Sequence, residues 1–276
     1  MISDEIVSKI QALLTHDKIE YQQQGLDLAT SLGDWSKVVE GCLIKNKNST
    51  LIRVPFGRLN AAILELVLTA SSVDASLLTN LCFRYHSALH NIDALIHCPS
   101  LRMFDATGCG TLKNIDGLRN SISLRHVDLR ECFSLTNIDS LENCTSLVDL
   151  NLRGCRSVKN IAALQACSSL KKVNLVRCSL LQNIDGLRNS TEMTSLDLRE
   201  CLSLQNIDIL DKFSKLEYLD LTGCQSLTDI SVLKNCKALK RLHVDGCISL
   251  KNIDFMKEHP LLEYEETWNR LRHWLR

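Results

Sequence analysis

Leu101, Leu124, Leu147, Leu170, Met193, Leu216 and Leu239 stand 23 residues apart, and a further copy begins at Leu78. Eight units therefore run in one register up to Leu261 without a single insertion. A fixed period of this length is the signature of stacked repeats and excludes most compact folds at once. The clearest copies read LRHVDLRECFSLTNIDSLENCTS (124–146) and LEYLDLTGCQSLTDISVLKNCKA (216–238). The consensus is LxxLDLxxCxSLxNIDxLxNCxS.

Each unit is numbered here from its leading Leu. Positions 4 and 6 are apolar between polar neighbours, the period-two pattern of a strand with one face inward. Positions 12, 15 and 18, such as Leu135, Ile138 and Leu141, are apolar again and return the chain along the other side of a coil. Asp at position 16, as in Asp116, Asp139 and Asp185, is expected to cap the short turn that follows by accepting from its free N–H groups. Asn at position 14 is expected to satisfy backbone groups in the same turn. No unit can bury its leucines alone, so stacking must make a continuous core and one parallel sheet, roughly 35–40 Å long at ~4.8 Å per strand.

The pattern LxxLxLxx[C/N]xxLxxIxxLxxLxx resembles the leucine-rich repeat, closest to the short bacterial internalin-like class. Two departures stand out. Cys replaces the usual Asn at position 9, and one more residue separates that position from the next Leu than in the shortest class. The resemblance implies an α/β solenoid, a right-handed leucine-rich repeat coil with one curved parallel sheet and helical caps. It implies little about the ligand, because this fold serves many partners.

An open solenoid exposes half a core at each end, so caps are expected. The predicted division is a helical N-terminal cap over 1–58, the solenoid over 59–261 with eight regular units from 78, and a C-terminal capping helix over 262–276. Ile6, Ile10, Leu13 and Leu14 share one helical face, Asp17 with Glu20 resembles a capping box, and Gly33 suits a helix stop. Residues 48–77 hold the apolar run Ala61–Leu68 and an irregular, shorter repeat. Trp268, Leu271, Trp274 and Leu275 fall at helical spacing, where they would seal the last coil. The alternative there is a basic amphipathic tail.

Eleven of the thirteen cysteines form two columns. Position 9 is Cys in seven units, from Cys109 to Cys247, with His86 in the first; position 21 gives Cys98, Cys144, Cys167 and Cys236. No CxxC pair is present, so zinc chelation is not indicated and the thiols read as small buried hydrophobes. No secretory signal precedes them, which points to a reducing, cytoplasmic setting and free thiols. No cofactor or metal is implied. GxSxG, HExxH and phosphate-loop motifs are absent from the sequence.

Chemistry that repeats on the outward, concave sheet face is the remaining signal. Position 3 carries Met103, His126, Asp149, Lys172, Tyr218 and Arg241; position 5 carries Asp105, Asp128, Asn151, Asn174, Asp197, Asp220 and His243; position 7 carries Arg130, Arg153 and Arg199. An acid and amide stripe thus runs beside an arginine stripe. Stacked like charges repel, so stability alone would favour neutral residues in that column, and a binding surface follows. The expected ligand is an elongated peptide or protein with basic side chains, held by position 5, and carboxylates on the ligand could meet the arginines. Formal net charge is +0 and aromatic residues are 5% of the chain, which disfavours nucleic acid. No apolar run is long enough for membrane insertion. The expected function is a non-catalytic protein-interaction scaffold or adaptor, a monomer by itself. The alternative is a cysteine-dependent enzyme, or a regulatory subunit of one, with the N-terminal region as functional head around Cys42.

Overall fold

The computed structural model describes residues 75–251 in full, the backbone of Ile44–Lys45 and Leu51–Arg53, and the exposed helical positions Lys9 and Ala12. The expected helix start at Asp17 and Glu20, the stop at Gly33, the run Ala61–Leu68, Cys42 and the Trp268–Leu275 pattern lie outside the described residues.

Ten short strands form one sheet in sequence order: β1 (Ile44–Lys45), β2 (Leu51–Arg53), β3 (Asn80–Cys82), β4 (Met103–Asp105), β5 (His126–Asp128), β6 (Asp149–Asn151), β7 (Lys172–Asn174), β8 (Ser195–Asp197), β9 (Tyr218–Asp220) and β10 (Arg241–His243). Strands β3 to β10 are positions 3–5 of the eight units, each paired in parallel and like on like, as in Met103 with His126 and Ser195 with Tyr218. The 23-residue period therefore fixes the register without any choice left to the chain. β2 extends the parallel sheet, pairing Leu51 with Asn80, and β1 pairs antiparallel to β2. In this register Leu51 and Asn80 stand 29 residues apart, where paired positions of the regular units stand 23 apart. The sheet also begins inside the stretch assigned from sequence to a helical cap.

Positions 1, 4, 6, 12, 15 and 18 point inward. In the third unit Leu124, Leu129, Leu135, Ile138 and Leu141 are fully buried and Val127 nearly so. A buried aromatic pair, Phe83 edge-on to Phe104 with centroids 5.9 Å apart, fills the first two coils. One continuous core cluster joins all eight units, as nearest-neighbour stacking requires.

The side opposite the strands is built from single 3₁₀ turns, such as Asp116–Leu118 and Ala162–Ala166. Asp at position 16 opens these turns but does not cap them: Ile115, Ile138 and Ile184 occupy the cap position without a side-chain bond. Capping falls instead to position 14. The Asn114 Oδ1 accepts from the Asp116 N–H (3.1 Å), Asn160 from Ala162 (2.7 Å) and Asn206 from Asp208 (2.7 Å). In the seventh unit Asp229 takes the same role toward Ser231 (2.7 Å), and these bonds hold the Asp229 carboxyl below its ordinary range. The carboxylate at 16 is one residue too late to fold back onto the turn it starts. Where neighbouring turns press together, position 17 must be Gly: a Cβ on Gly117 or Gly186 would lie 1.9 or 2.0 Å from the carbonyl oxygen of Ile92 or Ile161.

Candidate functional site

The open face of the sheet gathers every side chain proposed from sequence. The position-3 residues Met103, Asp149 and Tyr218 are half-buried, while His126, Lys172 and Arg241 are exposed. Across the strand, position 5 behaves differently from expectation. Each Asp or Asn there accepts from the N–H two residues on, at position 7. The distances are 3.0 Å for Asp105 to Thr107, 3.2 Å for Asp128 to Arg130, 3.2 Å for Asn151 to Arg153, 3.1 Å for Asn174 to Val176, 3.2 Å for Asp197 to Arg199 and 2.9 Å for Asp220 to Thr222. This is an Asx turn, repeated at the ends of β4 to β9, while Cys82 and His243 hold the place in β3 and β10. Stability therefore does ask for Asp or Asn in the column: in these six units a short side-chain acceptor closes the strand end.

The turn has a cause further along. Position 8 lies in the left-handed region in all eight units, with φ between 57° and 80°. Gly holds it in four units, at Gly108, Gly154, Gly223 and Gly246; Tyr85, Glu131, Arg177 and Glu200 hold it in the others. Sequence reasoning gave position 8 no role, because half of its occupants are not Gly. Four glycines recurring at one register position were the available signal.

Arginines cover the aspartates. Arg130 Nε donates to both carboxylate oxygens of Asp128 at 3.0 Å, and Arg199 binds Asp197 through Nε and Nη2 (3.0 and 2.7 Å). Arg84, absent from the predicted set, reaches across to Asp105 on the next strand with Nε at 2.6 Å. The Arg199 Nε also lies 3.6 Å from Asp220. Burial alone would raise the Asp105 carboxyl, but Arg84 and the Thr107 N–H outweigh it and hold the group below its ordinary range. The partner guanidiniums of Arg84, Arg130 and Arg199 are raised, first by the hydrogen bonds to Asp105, Asp128 and Asp197. The layering is unequal. Side-chain exposure is 7% for Asp105, 14% for Asp197 and 25% for Asp128, against 47%, 43% and 40% for Arg84, Arg199 and Arg130.

Toward the last coils the face becomes aromatic. The Tyr218 hydroxyl donates to Asp220 at 3.1 Å, Arg241 stacks over the Tyr218 ring at 5.0 Å, and His243 tilts against that ring at 6.0 Å. Burial and the adjacent Asp220 push the Tyr218 phenol up to about 12. Beyond the strand ends, at positions 8, 10 and 11, Tyr85, Phe133, Leu180, Leu202 and Ile248 are exposed along one rim, with Arg156 over Phe133 at 5.4 Å.

Eleven of the described thiols are buried. At position 9 each sulfur donates to the carbonyl at position 6 of the preceding coil: Cys109 to Phe83 (2.8 Å), Cys132 to Ala106 (3.2 Å), Cys155 to Leu129 (3.1 Å), Cys178 to Leu152 (3.3 Å), Cys201 to Leu175 (3.1 Å), Cys224 to Leu198 (3.2 Å) and Cys247 to Leu221 (3.0 Å). The column is thus a ladder of donors tying coil to coil, more than the apolar filler read from sequence. Position 21 repeats the device less regularly: Cys236 donates to Leu210, while Ser121 and Ser190 replace Cys and donate to Cys98 and Cys167. Burial pushes the thiols up, to about 11 for Cys109 and Cys236 and about 12 for Cys98, Cys155 and Cys247. Protonated, enclosed thiols are poor nucleophiles and poor metal ligands. Among the described residues, no three His, Cys, Asp or Glu side chains converge as metal ligands. No described helix is long and apolar enough to cross a membrane.

Comparison with solved structures returns solenoids. A leucine-rich repeat protein of Leptospira interrogans aligns with a TM-score of 0.51 at 13% identity, covering 74% of this chain and 57% of that one. Two proteins of Listeria monocytogenes also align. Internalin C2 does so with a TM-score of 0.49 at 20% identity, covering 61% of this chain and 81% of its own. The internalin inlF gives a TM-score of 0.32 at 14% identity, covering 94% of each chain. No curated protein matches the sequence significantly. The family model described as BspA type leucine rich repeat region matches residues 76–195 and 153–265, in six copies. The match spans well over half of the chain and coincides with the stacked coils, so the protein belongs to the BspA type leucine-rich repeat family.

Proposed function

We propose that this protein is a non-catalytic interaction scaffold that holds a protein or peptide on the open face of its sheet. The observation that carries the reading is a row of eight in-register strands, on which positions 3, 5 and 7 present a continuous polar surface roughly 35 Å long at ~4.8 Å per strand. Family membership supports a binding role of this kind. The contact set is Met103, Asp105, His126, Asp128, Arg130, Asp149, Asn151, Arg153, Lys172, Asn174, Asp197, Arg199, Tyr218, Asp220, Arg241 and His243. Position 3 and the guanidiniums make the direct contacts, while the position-5 carboxylates act from beneath by fixing the arginines.

The test is site-specific photo-crosslinking in native lysate. A photoreactive residue at His126 or Lys172 is expected to capture a partner. The same residue at Glu142 or Lys237, exposed on the opposite side, serves as the control. Equal capture from both sides, or capture only from Glu142 and Lys237, would overturn the assignment of the face.

A further inference from the structure

We infer that the ligand of this face is an extended acidic segment, its carboxylates received by Arg84, Arg130, Arg153 and Arg199. This rests on the scaffold reading above and names the partner's chemistry. Of the two pairings expected from sequence, it keeps the ligand carboxylates on the arginines and drops the basic side chains on position 5, for a structural reason. A basic side chain would have to reach aspartates that lie beneath guanidiniums and are only 7–25% exposed. An acidic side chain meets the guanidiniums first, at 40–47% exposure.

Three of these arginines are held ready. Arg84, Arg130 and Arg199 each direct Nε and Nη2 at the aspartate below them, which leaves Nη1 without a bond among the described residues and fixes the plane of the group. A guanidinium fixed on one edge loses little side-chain freedom when its other edge receives a carboxylate. Arg153 differs. Its coil carries Asn151 instead of an aspartate, Asn151 accepts only the Arg153 N–H, and no ion pair to Arg153 occurs among the described residues. It is the exposed guanidinium of the row with no acid beneath it.

Spacing sets the form of the ligand. Five strand intervals of ~4.8 Å separate the coil of Arg84 from that of Arg199, ~24 Å in all, which ~7 extended residues cover. Arg84 to Arg130 and Arg153 to Arg199 are each two intervals, ~10 Å, and Arg130 to Arg153 is one, ~5 Å. Side chains on one face of an extended chain recur at every second place, ~7 Å apart, so acids at alternate places come within ~3 Å of each guanidinium along the row.

Charge balance favours such a peptide over a nucleic acid. Positions 3, 5 and 7 hold six cations (Arg84, Arg130, Arg153, Lys172, Arg199 and Arg241) and six aspartates (Asp105, Asp128, Asp149, Asp197, Asp220 and Asp245). A face with no net charge offers little to a continuous polyanion, whose affinity comes from summed phosphate contacts. It suits spaced carboxylates bound by short-range bidentate bonds.

The experiment uses the full chain and a fluorescein-labelled peptide of about ten residues with Glu at alternate places in an Ala and Ser background. Anisotropy is expected to show binding that weakens about tenfold or more when the glutamates become glutamines. Arg153→Gln should weaken it about tenfold, with Arg153→Lys recovering part of the loss. Arg153 supports no aspartate, so this variant leaves the Asx turn and its neighbours in place. No binding of the Glu peptide, equal binding of the Gln peptide, or an unchanged constant in Arg153→Gln would each overturn the inference. Tighter binding of a single-stranded RNA of the same length would also overturn it, in favour of a phosphate ligand. If crosslinks from His126 and Lys172 persist while the Glu peptide fails, the acidic ligand is wrong and the scaffold reading stands. If those crosslinks are lost as well, the face itself is wrong.

Discussion

The thiol column at position 9 and the aspartate column at position 5 recur with the same 23-residue spacing, and each binds backbone, yet they do opposite work. Each thiol donates to a carbonyl of the preceding coil, so the column couples units. Each aspartate or asparagine accepts from an N–H two residues on, so the column first shapes its own unit and reaches a neighbouring one only through the arginines, at Arg84–Asp105 and Arg199–Asp220. One column is neutral and enclosed; the other is charged and meets solvent through its arginines. Repetition alone therefore says that a residue is needed in every coil. Whether the need is structural or functional depends on what the side chain touches.

The largest test of this contrast is alkaline titration. The buried thiols titrate above their ordinary value of 9.0, so their contribution to stability is complete below pH 9 and falls as pH rises toward about 11 or 12. Each loses about 1.4 kcal/mol per pH unit in that window. Eleven such thiols together exceed, within about one unit, the roughly 5–15 kcal/mol that holds an ordinary domain. Circular dichroism followed with thiolate absorbance, in reductant, should show cooperative unfolding between pH ~9.5 and ~10.5. Thiolate absorbance that develops with the dichroism unchanged would break the enclosed-donor account.

Single substitutions separate the columns next. Cys155→Ala should cost about 2 kcal/mol, from lost burial and a lost inter-coil bond. Paired with Cys178→Ala, it should depart from additivity by ~0.5 kcal/mol or more in urea unfolding, because the two donors join consecutive coils. Asp128→Ala should cost about 1 kcal/mol and Asp128→Asn about half of that or less, because Asn keeps the Asx acceptor. Combined with Asp197→Ala, three coils away, the Asp128→Ala cost should simply add. Coupling between the aspartates, or strict additivity between the thiols, would remove the distinction between inter-coil and intra-coil work.

The smallest effect lies between the columns, at position 8. Glu131 sits at φ 59°, where a side chain is disfavoured, so Glu131→Gly should raise stability by ~0.5–1 kcal/mol. A gain at Glu131 with an unchanged acidic-peptide constant would show that the turn serves the fold and not the ligand.

Most of the architecture was legible from the period. The eight coils, the parallel sheet, its register and the inward leucines all follow from one spacing, because no coil can bury its own apolar side chains and stacking admits a single register. The side of the sheet taken by positions 3 and 5 was legible as well, because the two-residue alternation of a strand decides it. Direction and partner were not legible. That Asn114 and not Asp116 caps a turn, that Asp128 folds back onto the Arg130 N–H, that Arg84 crosses to the next strand, and that Cys155 donates to Leu129 26 residues earlier depend on where backbone groups lie once the coils are stacked. Periodicity records which side of the chain a residue occupies. Hydrogen bonds are made to atoms, and the positions of those atoms exist only in the assembled solenoid.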